Sequence, residues 1–158
     1  MEPDAAPDGD GTDADGVDWR AVAKAALVGF AIIVPVTTVQ ALLRHEVRHF
    51  DTSAWIYPLF VLILVGYFTA GWVVGHARPD TPFIHGTLAG LGAFALWLPT
   101  RILIWALRED GRALFSGSKA ALRPGQIYGA LVIAASLGMA GAWCATWVAR
   151  RRTGPVTG

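Results

Sequence analysis

Two histidines four residues apart, with a glutamate beside the first, give this chain its clearest chemical signal: His45-Glu46-Val47-Arg48-His49. On a helix, H-E-x-x-H places both imidazoles on one face. There they could hold zinc as His45 and His49 while Glu46 acts as general base toward a bound water. No third ligand motif follows; Asp51, Asp80, His76 and His85 qualify by residue type alone. The plainer reading, and the preferred one, is an interfacial charged loop without metal or cofactor.

A second group is His76, Arg78, Asp80 and His85, gathered around a short turn. His85 falls one turn inside an apolar stretch, where an ionisable group is costly and marks function unless a partner satisfies it. Asp80 or a helix-end carbonyl is the expected partner. Arg101 is the third candidate. It follows Pro99 about five helical turns beyond Phe83, close enough to the far interface for its head group to snorkel. Catalytic roles are assigned to none of these residues; His85, Arg101, His76 and Asp80 remain as polar candidates.

The elements that must position them are four long apolar stretches: Ala25–Leu43, Thr52–Gly75, Thr81–Thr100 and Gln126–Ala149. Each holds enough residues, at about 1.5 Å of rise apiece, to cross a hydrocarbon core of about 30 Å. Composition agrees, with 54% apolar and 16% charged residues against about 25% charged in an ordinary soluble domain. The reading is an all-α membrane protein, a bundle of four transmembrane helices at 22–43, 54–75, 82–105 and 126–149 within a single domain at 19–150. Residues 1–18 form an acidic tail read as disordered, and 151–158 a basic one.

That N-terminal tail contains Glu2, Asp4, Asp8, Asp10, Asp13, Asp15 and Asp18 and no base. It cannot bury enough apolar surface to order itself, and it lacks the positive region of a signal peptide. A solvated tail is one reading; docking onto a basic partner is the other. Asparagine is absent, lysine occurs only at Lys24 and Lys119, and Ala, Gly, Val and Arg dominate, which points to a GC-rich bacterial genome and a bacterial cytoplasmic membrane. The single cysteine, Cys144, excludes an intrachain disulfide.

An even number of spans puts both termini on one side. Basic residues are nearly balanced across the membrane, so the Arg150, Arg151, Arg152 cluster directly after the last span decides for cytoplasmic termini. Small residues indicate the packing, because helices in lipid associate by close backbone approach. Gly71-x-x-x-Gly75 ends the second helix and Gly86-x-x-x-Gly90 opens the third, after Thr81 as cap and Pro82 at the first helical position. The expected arrangement is a tight hairpin of helices two and three, joined by the fourth through Ala134, Gly138, Gly141 and Ala142. A glycine face used for homodimerisation is the alternative.

Two resemblances bear on function. The five residues 45–49 look like the zinc-binding helix of zinc metallopeptidases, but Arg48 puts a charge between the histidines where those helices are apolar. The run Gly71-Trp-Val-Val-Gly75-His76-Ala-Arg78, the turn, and His85-Gly86-Thr-Leu-Ala-Gly90 resemble the middle of small four-helix bacterial integral membrane proteins of unknown function. In those, a glycine-rich helix end with a basic residue leads through a short turn into a His-Gly-x-x-x-Gly helix start. This resemblance implies the four-span topology and membrane location, and it brings no activity or ligand. The expected function is a non-enzymatic accessory or interaction component of the cell membrane. Its partners would be the lipid bilayer, a second copy of the chain or another membrane protein, and not nucleic acid. A small oligomeric transporter using His85 and Arg101 is the competing class, and the zinc peptidase a third.

Overall fold

The computed structural model describes residues 16–46, 53–107 and 122–152, with residues 44–46 and 152 described by their backbone alone. Four helices fill them: α1 (Trp19–Glu46), α2 (Ile56–Ala77), α3 (Pro82–Leu107) and α4 (Pro124–Arg152). All four are long and apolar enough to cross a membrane. Their ends fall within a few residues of the spans read from the sequence, because run length against bilayer thickness is a strong constraint. Pro82 and Pro124 each take the first helical position, where a missing N–H costs nothing. Pro35 and Pro99 sit inside α1 and α3.

α2 and α3 lie side by side between α1 and α4, touching each other and both flanking helices; among the described residues α1 and α4 do not meet. The interior is built from Ala25, Ile33, Tyr67, Ala70, Val74, Ala89, Ala93, Phe94, Trp97, Ala134 and Ala142. No span has more than 33% of its most apolar window buried in the bundle, so most of each helix surface faces outward. Tyr57, Phe60, Val61, Leu62 and Val65 on α2 and Tyr128, Leu131, Val132, Met139 and Trp143 on α4 are exposed. For a chain in lipid that surface is solvated by acyl chains, and helix association rests on packing rather than on hydrophobic exclusion from water.

The glycines show how that packing is achieved, with α4 meeting its neighbours through Ala134, Gly138, Gly141 and Ala142. The two glycine pairs of α2 and α3 turn toward α4 rather than toward each other. A methyl group at Gly71 would overlap the backbone of Gly138, and one at Gly75 would lie 2.6 Å from the Ala142 carbonyl. From α3, one at Gly86 would lie 2.6 Å from the Gly138 carbonyl, and one at Gly90 would overlap the Ala134 carbonyl. Gly141 meets the backbone of Phe68 and Trp72 in return. α4 thus seats in a notch between α2 and α3. The spacing of the glycines is the same for either arrangement; which neighbour fills the notch depends on how the helices are placed around each other.

On the opposite flank, α1 meets α2 where Gly29 crosses Gly66, with the Gly66 carbonyl 2.8 Å from a methyl group built on Gly29. Ile33, fully buried, fills the space that the missing side chain of Gly66 leaves. Neither glycine belongs to the pairs expected to pack, although Gly66-x-x-x-Ala70 and Ala25-x-x-x-Gly29 carry the same small-residue spacing.

Candidate functional site

The polar candidates around the α2–α3 turn are brought together at the terminal end of the bundle, with a residue that composition places at the end of the acidic tail. Asp18 precedes α1 and caps it: its Oδ1 accepts the Ala21 backbone N–H at 2.9 Å. Its other oxygen, Oδ2, accepts from Arg78 Nε at 2.8 Å and Nη2 at 2.6 Å. Arg78 stands directly after α2, its own backbone N–H donating to the Val74 carbonyl at 2.8 Å. One carboxylate therefore closes the start of α1 onto the end of α2. The Ala21 N–H, and next the Arg78 guanidinium, hold the Asp18 carboxyl below its ordinary value of 3.8.

The third member is His85, 1% exposed in the first turn of α3. Its Nε2 accepts the Asp18 backbone N–H at 3.0 Å. A nitrogen that accepts carries no proton, so this bond assigns the hydrogen of the neutral ring to Nδ1. Nδ1 lies 3.0 Å from the Thr81 carbonyl and 2.8 Å from the Thr81 hydroxyl, either of which can take that hydrogen. Both ring nitrogens are thus spent inside the protein. The expectation of a helix-end carbonyl fits Thr81, while Asp80 stands exposed in the turn and the other partner is Asp18, through its backbone N–H and not its carboxylate. A separation of 67 residues hides Asp18 from any local reading. The signal that the sequence does carry is an aspartate immediately before an apolar helical run, the ordinary mark of an N-cap.

His76 takes no part in this clasp. Its Nδ1 lies 3.0 Å from the Trp72 carbonyl and its ring 5.0 Å from the Trp72 indole, on the exposed side of α2. Arg101 is on α3 toward the other end of the bundle, with its guanidinium carbon 5.2 Å from the Trp97 ring centroid, a cation–π geometry. Among the described residues the Trp97 Nε1 itself is buried without a hydrogen-bond partner. His85 and Arg101 are sixteen positions apart on one helix, about 24 Å along its axis, so the two intramembrane candidates do not form one site.

The H-E-x-x-H segment lies outside the described residues: α1 closes at Glu46, His45 and Glu46 are described by backbone alone, and Val47 to His49 fall beyond. Among the described residues no three His, Cys, Asp or Glu side chains gather as a metal site would require. The fold and the clasp define a four-span α-helical membrane protein whose terminal end is locked by Asp18, Arg78, Thr81 and His85. No protein family, no curated protein and no solved structure matches this chain.

Proposed function

We propose that the protein is a non-enzymatic accessory component of a bacterial cytoplasmic membrane, with cytoplasmic termini, that presents its acidic N-terminal segment to a basic partner. The observation that carries this reading is the clasp. His85, buried one turn inside a span, has both nitrogens engaged: Nε2 accepts the Asp18 N–H and so fixes α1 against α3, and Nδ1 is held by Thr81 at the start of its own helix. Asp18 in turn fixes the point at which the six preceding acids, Glu2 to Asp15, join the bundle. A charged segment held at a fixed exit point is a docking device, and its association with a basic surface gains rate and specificity from complementary charge. The backbone-close contacts of α4 with α2 and α3 favour packing over a polar path through one copy of the bundle. The resemblance to small four-helix bacterial membrane proteins supports the location.

Two measurements on the full chain test this. Crosslinking in native membranes should yield the same adduct repeatedly from the parent and lose it when Glu2, Asp4, Asp8, Asp10, Asp13 and Asp15 are changed to their amides. The parent in sealed vesicles should pass protons and anions no faster than empty vesicles do. Flux that requires the protein and disappears in His85→Ala would replace this reading with transport.

A further inference from the structure

A groove of about 430 Å³ opens between the start of α1 and the end of α2, lined by Asp18, Arg20, Lys24, Val73, Ala77 and Arg78 among others. That volume is in the range of small-ligand sites. Its charge is one-sided: three cations face one carboxylate. Asp18 is matched by Arg78, whose Nε and Nη2 both donate to its Oδ2, which leaves Arg20 and Lys24 as the excess. These two exposed side chains are four residues apart on one face of α1, so their head groups can converge on a single anion.

The position of the groove limits what that anion can be. It lies at the end of the bundle that carries both helix termini, beside Trp19, an exposed indole of the kind that marks the membrane interface. Its α1 wall carries the cationic Arg20 and Lys24, and its α2 wall the small apolar Val73 and Ala77. An occupant that matches both parts carries a phosphate at one end and hydrocarbon at the other. We propose that this groove holds the phosphate of an anionic glycerophospholipid, with Arg20 and Lys24 as its ligands and an acyl chain leaving over Val73. Both carboxylate oxygens of Asp18 are already engaged, Oδ1 by the Ala21 N–H and Oδ2 by Arg78 Nε and Nη2. Basic pockets between helices on the cytoplasmic side are where anionic headgroups bind other membrane proteins. This inference does not depend on the acidic segment having a partner.

Native mass spectrometry of the detergent-released full chain, incubated with phosphatidylglycerol, phosphatidylcholine or inorganic phosphate, tests the proposal. Phosphatidylglycerol should be retained in preference to phosphatidylcholine, and the double variant Arg20→Gln/Lys24→Gln should lower that retention about tenfold. Arg150→Gln/Arg151→Gln, which removes the same charge from the end of α4, should leave it unchanged, as should the charge-preserving Arg20→Lys/Lys24→Arg. Equal losses from the α1 and α4 double variants would show a diffuse charge effect and overturn the site. Equal retention of the two lipids would also overturn it. Loss in the charge-preserving pair would trace the effect to distortion of the groove and overturn the site as well. Inorganic phosphate that binds as well as the lipid, and is lost in the Gln pair, would assign the anion to solution and sink the lipid assignment.

Discussion

On the α4 flank of the bundle, glycines 71, 75, 86, 90, 138 and 141 bring main chain against main chain, with Ile127, Ala134, Leu137 and Ala142 packed on the core. On the α1 flank the Gly29–Gly66 crossing and the close approach of Gly92 to Ala26 are supplemented by the large side chain of Ile33, and the end is closed by the hydrogen bonds of Asp18, Arg78 and His85. The same two helices, α2 and α3, thus hold one neighbour by close packing and the other by close packing plus polar closure. Without water to drive apolar surfaces together, close packing and hydrogen bonding are the two means available, and the α1 flank combines them. The difference has a practical side. A contact made of backbone has no rotamer to adjust, so it tolerates no enlargement, whereas the α1 contact can lose a part and keep the rest.

The sharpest way to break that contrast is Gly138→Val. A side chain there would overlap the Gly86 carbonyl and press on the Gly90 backbone, and no flexible atom can yield. The expected loss is about 3 kcal/mol or more, read from detergent-induced unfolding followed by tryptophan fluorescence. Gly129→Val on the same helix, where an added methyl meets nothing within 4 Å, should stay within about 0.5 kcal/mol of the parent. If both variants behave alike, the notch between α2 and α3 does not hold α4.

Ile33→Ala probes the other flank. It empties the position over Gly66 without touching any backbone contact, and about 2 kcal/mol is expected. Gly66→Ala in the Ile33→Ala background should recover part of the loss, because the new methyl enters the vacated space. Failure to recover would mean that Ile33 acts elsewhere than at this crossing.

The smallest effect belongs to acid. The folded value of the Asp18 carboxyl lies below its unfolded value near 3.8. Its contribution is therefore complete above that unfolded value and is lost as pH falls through the lower, folded one. The parent should hold its α1–α2 contact unchanged from neutral pH down to about 4 and loosen below it, as read by a spin-label pair on α1 and α2. Asp18→Asn should show the loosened distance at neutral pH and no step in acid. A parent step at higher pH would mean that a group other than Asp18 closes this end.

The four helices are legible in the sequence because the bilayer leaves little choice. Apolar runs of this length between charged connections can hardly be anything else, and Pro82 marks a start to the residue. The polar residues His85, Arg78 and Thr81 can be named from position alone. Their union with Asp18 cannot, since composition assigns that residue to the acidic tail while geometry makes it the first fixed point of the bundle. The glycine spacings likewise announce close approach without naming the partner. An i, i+4 pair describes one helix face and says nothing of which helix lies opposite, so spacing alone pairs the two glycine motifs of the α2–α3 hairpin with each other when α4 takes them both.

The 67 positions between Asp18 and His85 also impose an order of events, because chains are made from the N-terminus. The first helix enters the bilayer with its clasp open; its carboxylate can meet Arg78 once the second helix is delivered, and its amide can meet His85 only when the third has begun to emerge. The final helix arrives to find its seat already shaped. Full closure of the clasp therefore records that the third span has begun to arrive, and a chain interrupted after the second keeps its first helix only half latched, with the Asp18 amide still without His85.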